Sequence, residues 1–446
     1  MCAFAMSSLM TPKESVKIAL IGTGQRSRTI YAPLFEALKP WVEVVAVCDP
    51  FKPNAEDLAA RLQVPAYYNI RQLVKDRPME AALIVTPIES HHSISVYLSS
   101  HGIHNMSETT WCNMIVQAKE MIAEAHKHNV IVRVAENFFR YAVDRFAQKV
   151  KQADYIGPIR RVFSYNDHTG FHNNSRWIVF ARSHPQWVQS VKHTMDTAEF
   201  YSTPERFHAQ ETFRARYFMF PDDLMVIDQA ANIKGLLGRQ TRPGYTEWQG
   251  LRGTLVHQGT LSTTGEAVYY AKSEEAAVQK ERLPGGSATE LRYCSDEALK
   301  RHDPFRPGGL ADHISEVIHE VRDGQWTRTY AHTPHDTIEY VNELHPKELL
   351  SHHNIAYGSA VMGHIVDFAL AVRGMSAGEF DEQDGLMSLM MEIGAEESAL
   401  QEGRRVKLPL EGELEADRLA RQRIQQKLGV DPLDVEGMLS FVYPKP

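Results

Sequence analysis

Residues 16–49 read VKIALIGTGQRSRTIYAPLFEALKPWVEVVAVCD and decide the fold of the first part of the chain. An apolar run leads into the turn Gly22-Thr23-Gly24, a helical pattern follows, and a second apolar run ends at Asp49. Strand, glycine turn, helix, strand and terminal acid therefore follow one another, which is the order of a nucleotide-binding βαβ unit.

Each part of this stretch predicts a contact with a dinucleotide. Gly22 allows a tight turn, and Gly24 leaves room for a pyrophosphate beside the positive end of the next helix. Asp49 is placed to accept hydrogen bonds from the adenosine ribose, and its charge disfavours a 2′-phosphate, so NAD is preferred over NADP. Arg26 and Arg28 weaken that preference, because either side chain can reach a phosphate. The predicted cofactor contacts here are Gly22, Thr23, Gly24, Gln25, Arg26, Ser27 and Asp49.

One position departs from the pattern, since Ser27 stands where a third glycine is usual. We expect this serine to loosen the packing of helix on strand slightly. The alternative to a cofactor site is a βαβ unit that no longer binds a nucleotide.

Length and composition limit the other possibilities. A chain of 446 residues is too long for one ordinary core, so we expect two domains. The net charge of −8, without a basic block, argues against nucleic acid or an anionic membrane as partner, and no stretch approaches a membrane span. The first 15 residues lack the features of a secretory signal and are expected to form a disordered leader. Four scattered cysteines without a CxxC pair predict a reducing, cytoplasmic location and no zinc site.

Strand-like and helix-like stretches alternate as far as residue 135. This alternation predicts an α/β fold with a doubly wound parallel sheet, whose ligands bind at the carboxyl ends of the strands. Those ends fall at Gly22, Asp49, Thr86, Ser107 and Glu136–Asn137.

The pattern changes after residue 137. Alternating stretches at 246–257 and 260–271 predict antiparallel strands, and helices are expected near 310–323, 360–372 and 384–402. The predicted organisation is a leader over 1–15, a nucleotide-binding domain over 16–137, a second domain over 138–408 and a C-terminal extension over 409–446.

Further motifs resemble the Gfo/Idh/MocA oxidoreductases, the relatives of glucose–fructose oxidoreductase and inositol dehydrogenase. They are Thr86-Pro87-x-x-x-His91, Glu108 at a strand end, Ala135-Glu136-Asn137 and a closing helix that ends EIGAEESALQEGRRVKLPL. The resemblance implies an N-terminal Rossmann domain and a C-terminal α/β domain with a large open, mixed, mainly antiparallel sheet. It also implies bound NAD(P), a sugar or cyclitol substrate, and a homo-oligomer, dimer or tetramer, assembled through that sheet.

The same resemblance assigns roles to individual residues. Thr86, Pro87 and His91 would lie along the cofactor, Glu108 and Thr109 at the nicotinamide ribose, and Asn137 where cofactor meets substrate. The family's Glu-Lys-Pro motif falls at Glu108-Thr109-Thr110, so its lysine is absent. The family's Asp-x-x-x-His pair falls at Gln189 to His193, which keeps the histidine and loses the aspartate.

These departures bear on the chemistry. Oxidation of a secondary alcohol requires removal of the hydroxyl proton, and neither Thr109 nor Gln189 can act as a base near neutral pH. We therefore predict His193 as the acid–base residue, with Tyr165 and Asp167 beside it. A satisfied or surface histidine is the alternative for His193.

Several residues are candidates for substrate contact, each with an alternative. Arg140 can instead form a structural ion pair, and Trp177 can instead belong to the core. His168 and His172 would share a helix face, but the residues around them favour a loop, so no metal site is predicted. The predicted substrate contacts are Asn137, Arg140, His168, His172, Trp177 and Gln189.

The function predicted is therefore an NAD(P)-dependent oxidoreductase that acts on a hydroxyl of a sugar, sugar derivative or polyol. The absence of the lysine resembles a branch related to NAD-dependent glycoside hydrolases. A second possible function is therefore a hydrolase or lyase that recycles its cofactor through transient oxidation of the sugar at C3. A non-catalytic NAD sensor is the third possibility.

Overall fold

The computed structural model of the protein describes residues 9–166, 170–203, 206–231, 244–258, 266–269, 279–282, 288–300, 311–347, 356–412 and 414–443. Leu9 packs against the core, and Trp41 Nε1 donates a hydrogen bond to the Met10 carbonyl at 2.8 Å. Residues 9–15, expected within a disordered leader, are thus held against the first domain.

The first domain is a parallel sheet covered by helices on both faces, as predicted. Within the described residues the sheet has six strands in the order β3-β2-β1-β4-β5-β6. Continuous apolar runs form these strands because both faces are buried. The strands are β1 Val16–Ile21, β2 Val42–Cys48, β3 Ala66–Tyr67, β4 Ala81–Ile84, β5 His104–Ser107 and β6 Val132–Val134.

The helix after β1 is irregular. It begins with a π turn over Ser27–Tyr31, continues through a 3₁₀ turn over Ala32–Leu34 and ends as α1. The helices of this domain are α1 Phe35–Leu38, α2 Lys52–Leu62, α3 Ile70–Asp76, α4 His91–Ser100 and α5 Ile115–Lys127. Strand order reverses between β1 and β4, and a ligand site is expected at such a switch point.

The second domain is built on a large mixed sheet, which confirms the predicted fold class. Among the described residues it has nine strands in the order β16-β15-β12-β11-β7-β10-β9-β8-β20, and only β7 and β10 pair in parallel. Beyond residue 158 the described strands are β7 Ile159–Asn166, β8 Trp187–Thr203, β9 Arg206–Met219, β10 Met225–Ala231, β11 Gly244–Gly250, β12 Gly253–Gln258, β13 Glu266–Tyr269, β14 Gln279–Arg282, β15 Ala288–Tyr293, β16 His313–Glu316, β17 Ile318–Arg322, β18 Gln325–His332, β19 Thr337–Val341 and β20 Val406–Lys407. Of these, β13 and β14 form a separate two-stranded sheet, and β17, β18 and β19 form a three-stranded sheet.

Helices cover one face of this sheet. From α7, Asn173 Nδ2 donates to Asp228 of β10 at 3.1 Å, and Ser190 N of β8 donates to Ser398 Oγ of α10 at 2.8 Å. Beyond residue 141 the helices are α6 Ala142–Gln152, α7 Phe171–Ala181, α8 Asp296–Lys300, α9 Tyr357–Val372, α10 Glu382–Leu400, α11 Glu415–Leu428 and α12 Val435–Ser440, and the last of them lies against the first domain.

The helix expected near 310–323 is wrong, because β16 and β17 occupy that stretch. No helix in the described ranges is long and apolar enough to cross a membrane.

Candidate functional site

The glycine turn has the geometry that a dinucleotide needs. Gly22 has a φ of +91°, and a Cβ built on it would lie 2.3 Å from the Val85 carbonyl oxygen. A Cβ on Gly24 would meet nothing within 4 Å. Gly22 is thus fixed by the fold, whereas Gly24 faces the free space that a pyrophosphate requires.

Two polar side chains tie this turn in place. The Asp49 carboxylate accepts from Thr23 N at 2.8 Å and from the Thr23 hydroxyl at 3.0 Å, so the acid that ends β2 also holds the turn. The buried Ser27 hydroxyl donates to the Gly22 carbonyl at 2.6 Å. The expectation that Ser27 loosens the packing is wrong, because its hydroxyl closes the turn.

A polar cluster fills the space beside the turn and centres on Glu108, which follows β5. Its Oε1 accepts from Arg26 Nε at 2.6 Å and from the Tyr31 hydroxyl at 2.8 Å. Its Oε2 accepts from Thr109 N at 2.8 Å and from the Thr109 hydroxyl at 3.1 Å. Burial alone would raise the pKa of Glu108, but the Arg26 guanidinium holds it at about 2.

Helix α9 of the second domain completes this cluster, which we call the Glu108 cluster: Arg26, Tyr31, Glu108, Thr109, Tyr357 and His364. Arg26 Nη1 donates to the Tyr357 hydroxyl, and the Tyr31 hydroxyl lies 3.4 Å from His364 Nε2. Burial lowers the pKa of His364 to about 3, so this histidine is neutral. The two domains therefore share one polar network next to the cofactor turn.

The position of Arg26 bears on the choice of cofactor. Glu108 follows β5. In the sheet, strands β1 and β4 lie between β5 and β2, the strand that leads to Asp49. Three strand spacings of about 4.8 Å separate Glu108, and the Arg26 guanidinium bonded to it, from Asp49 by roughly 14 Å. The other arginine, Arg28, has its Nη1 atom 3.9 Å from Asp57 Oδ2. Arg26 is thus turned away from a 2′-phosphate, which removes one of the two reservations about NAD.

The loop after β4 lies against the turn. The Thr86 hydroxyl is 2.7 Å from Ser90 Oγ, and Ser90 Oγ donates to the Pro87 carbonyl at 2.7 Å. His91 is buried, with Nε2 2.9 Å from the Thr86 carbonyl and Nδ1 3.2 Å from the Thr110 carbonyl. Burial lowers the pKa of His91. Both ring nitrogens of His91 thus face main-chain oxygens, which links the loop after β4 to the loop after β5.

Two polar atoms at the domain junction differ from the Glu108 cluster. Asn137 Nδ2 and the Tyr141 hydroxyl are buried and have no hydrogen-bond partner among the residues that the structure describes. Buried polar groups are nearly always paired, so these two atoms are candidates for a hydrogen bond to a ligand or a water molecule. Burial raises the pKa of Tyr141, which is a neutral donor.

Beside them lies a histidine–carboxylate pair. His172 Nδ1 is 3.2 Å from Glu136 Oε2, and the His172 ring stacks on Phe138 with centroids 4.2 Å apart. The Ser175 hydroxyl donates to the same Glu136 oxygen at 3.3 Å. His172 begins helix α7, whereas the sequence suggested a loop. A carboxylate at Nδ1 orients the ring and favours Nε2 as the proton acceptor.

The predicted acid–base residue His193 lies elsewhere. On β8, Ser190 and Lys192 bond to residues of α10, so the alternate residue His193 points to the opposite face and is exposed. Gln189, four residues earlier on the same strand, is about 13 Å away and donates to the Gly403 carbonyl. The two cannot act together, and neither reaches Asn137 from that face.

The predicted residue Tyr165, like His193, faces away from the helices that cover its sheet. Ser164 and Thr246 are bonded to each other and Thr246 to Arg176 of α7, so Tyr165, adjacent to Ser164 in β7, faces away from that helix. Asp167 and His168 lie outside the described residues.

Two predicted substrate contacts are structural. Arg140 is buried, with Nη1 donating to Glu379 at 2.6 Å and Nη2 to Asp367. Trp177 is fully buried, and its Nε1 donates to Asp228 at 3.1 Å. For both residues the structural alternative matches the contacts, because the Trp177 indole and the two terminal nitrogens of Arg140 bond to carboxylates inside the protein.

Four residues of this region were given no role from the sequence. Glu136 stood in a quoted motif without a role, and Tyr31, Tyr357 and His364 were not singled out. Tyr31 follows the glycine turn within one helix, which was a usable signal. Tyr357 and His364 come from a helix distant in sequence, and no local pattern reveals their approach.

Comparison with known proteins agrees with this geometry. Residues 16–136 match a family model described as an oxidoreductase family with an NAD-binding Rossmann fold. No protein of curated function matches the sequence.

Solved structures resemble nearly the whole chain. A levoglucosan dehydrogenase in complex with NADH and levoglucosan has a TM-score of 0.59 and 16% identity, covering 89% of this chain and 100% of that one. An aldose–aldose oxidoreductase from Caulobacter crescentus, complexed with glycerol, has a TM-score of 0.59 and 14% identity over 89% and 100%. An Agrobacterium radiobacter oxidoreductase in complex with NAD+, L-tartaric acid and magnesium has a TM-score of 0.60 and 12% identity over 88% and 98%. At these identities the likeness shows a shared two-domain fold.

Proposed function

We propose that the chain, whose residues 16–136 match the model of an oxidoreductase family with an NAD-binding Rossmann fold, oxidises or reduces a hydroxyl carbon of a sugar, sugar derivative or polyol. One observation carries this proposal. The His172–Glu136 pair lies at the carboxyl edge of the first sheet, next to Asn137, whose Nδ2 has no partner among the described residues. An acid–base residue and a free donor therefore adjoin the place where a parallel sheet binds its ligands.

The residues of the first domain fit NAD. Gly22 and Gly24 provide the turn and the space for the pyrophosphate. The Asp49 carboxylate accepts from Thr23 and from Phe51 N, and Oδ1 keeps a second lone pair for a ribose hydroxyl. When bound there, NAD supplies the group that accepts or returns a hydride. Thr86 and Glu108 border the same space.

The chain's own groups then handle the proton. His172 Nε2 takes the proton of the substrate hydroxyl, while the Glu136 carboxylate stabilises the imidazolium that forms. Asn137 Nδ2 donates to the oxygen of that hydroxyl and orients it. Phe138 covers one face of the His172 ring and keeps water from it. Thr109, in the lysine position, is bound to Glu108 and takes no part in proton transfer.

The class of substrate rests on the relatives. The levoglucosan dehydrogenase is named for a sugar derivative and the aldose–aldose oxidoreductase for sugars, and both share the fold of this chain. The proposal extends to a homo-oligomer, dimer or tetramer, that works in the cytoplasm on a carbohydrate.

A panel of sugars, aldonates and polyols tests this function. Purified protein is mixed with NAD and each compound, and NADH is followed by absorbance at about neutral pH. We expect NADH from at least one compound and none from the H172Q variant. Silence across the panel contradicts net redox. Product release without NADH, with loss of deuterium from C2 of a labelled glycoside, would replace it with the recycling hydrolase or lyase. Binding of NAD without any product would leave a sensor.

A further inference from the structure

The C-terminal segment over 414–443, which we call the strap, connects the second domain to the first. At its beginning, Ala416 N donates to Glu397 Oε2 of α10 at 2.9 Å. The carboxylate of Asp417 accepts from Ile115 N at 3.4 Å, at the start of α5. Helix α11 therefore starts where the last helix of the second domain meets the first domain.

The middle and end of the strap lie on the first domain. Gln117 Nε2, which is buried, donates to the Pro432 carbonyl at 3.0 Å. On α12, Glu436 pairs with Arg71 of α3 at 2.7 Å, and Leu439 packs against the apolar core between the sheet and its helices. These contacts hold the strap against α3, α4 and α5.

Two strap residues contact the loop after β4. Lys427 Nζ donates to Glu89 Oε1 at 2.7 Å, and the carboxylate of Glu89 is mostly buried. The hydroxyl of Tyr443 is buried beside Glu89 and Ser90. The strap thus contacts the loop after β4 at Glu89 and Ser90, and the Thr86 end of the same loop borders the glycine turn.

A short series of contacts leads from these residues to the cofactor turn. Ser90 Oγ lies 2.7 Å from Thr86 Oγ1. The Thr86 methyl group lies 3.0 Å from where a Cβ of Gly22 would stand. A shift of Ser90 would therefore change the position of Thr86 against the turn that receives the pyrophosphate.

We propose that Tyr443 and Lys427 are positioning residues for NAD, which hold the Thr86–Ser90 loop in its cofactor-binding position from outside. The inference rests on the proposed function in one respect, because it takes this loop as part of the NAD site. It assigns a role to the C-terminal extension, which reaches the Thr86–Ser90 loop at Glu89 and Ser90.

The test measures the Kd of NAD and thermal stability in the full-length protein. We expect Y443A to raise Kd about five- to tenfold, equivalent to roughly 1–1.4 kcal/mol, and Y443F, which keeps the ring, to restore most of the affinity. K427Q should raise Kd about two- to threefold, because the lysine is largely exposed, and K427R should restore it. The control E436Q removes another strap contact, the pair with Arg71, and should leave Kd unchanged.

The outcomes separate the inference from the function on which it rests. Unchanged Kd in both folded Y443A and K427Q would overturn the positioning role. If Y443A fails to fold, K427Q against K427R decides. An equal rise of Kd in E436Q would also overturn it, since a general loosening would then explain the effect. Changed Kd together with silence in the sugar panel would support the positioning role while refuting net redox.

Discussion

The Glu108 cluster and the domain junction lie side by side, yet they treat polar groups in opposite ways. Glu108 uses both carboxylate oxygens for four hydrogen bonds from Arg26, Tyr31 and Thr109. At the junction, Asn137 Nδ2 and the Tyr141 hydroxyl are equally buried but unpaired within the described part of the chain. A saturated network fixes its members, whereas unpaired buried groups lower stability until a ligand pairs them.

This contrast separates structural from ligand-binding roles. Arg26 and Glu108 neutralise each other, so the cluster sets the shape of the site and joins the two domains. Asn137, Tyr141 and the His172–Glu136 pair provide the groups that a bound molecule can use. Substitutions in the two regions should therefore act on different quantities, stability in the first and turnover in the second.

The largest effect is expected from the histidine of the junction. H172Q should lower kcat about 10²–10⁴-fold, because a general base is lost, with little change in the Kd of NAD. H193Q is the matched control and should keep kcat, because His193 faces away from the site. Steady-state rates on the best compound of the sugar panel measure both. A loss of kcat in H193Q alone would restore the assignment made from the sequence.

Glu108 should show the opposite behaviour. E108Q leaves the Arg26 guanidinium without its anion. It also places the amide N–H groups of glutamine against the donors of Tyr31 and Thr109. The free energy of unfolding should therefore fall by about 2–3 kcal/mol. The partial exposure of Arg26 keeps this below the usual cost of breaking a buried pair. Urea unfolding of the NAD-free protein measures the loss. The control E36Q removes only exposed pairings, with Lys39 and Lys347, and should leave the free energy of unfolding nearly unchanged. Equal losses in the two variants would refute the special role of Glu108.

The smallest effect concerns pH and Asp417 of the strap. Burial raises the pKa of this carboxyl from 3.8 to about 6. Between about pH 4 and pH 6 the folded state therefore binds more protons than the unfolded state, and the contribution of Asp417 to the free energy of unfolding falls as the pH rises through this range. D417N can still accept from Ile115 N and should be more stable than wild type above pH 6, by about 1 kcal/mol after allowance for partial exposure. Thermal unfolding from pH 4 to 8 measures this, with the exposed E411Q as control. A pH slope unchanged by D417N would contradict it.

Local chemistry in the sequence was enough to predict the first domain. Glycine at 22 and 24, an acid at 49 and continuous apolar runs each have one physical explanation, and together they predict a parallel sheet with its binding edge. The fold of the second domain came from the resemblance, because long strands such as β8 and β9 carry no clean alternation.

The catalytic assignment failed for a related reason. A spacing of four residues brings side chains together on a helix but separates them by about 13 Å on a strand. Gln189 and His193 were placed by resemblance to the family's Asp-x-x-x-His pair, and they lie on β8. His172 was read as a loop residue and lies on a helix. The partners from α9 are contacts between elements far apart in sequence, so only the tertiary structure reveals them.

The difference between the two regions is tested most directly by Y141F, which removes a buried hydroxyl that has no partner in the described part of the chain and changes little else. Urea unfolding of the NAD-free protein and kcat/KM on the best substrate are measured on the same preparation. We predict that the free energy of unfolding rises by about 1 kcal/mol while kcat/KM falls about tenfold. A variant that is less stable and fully active would show that this hydroxyl supports the fold and does not serve a ligand.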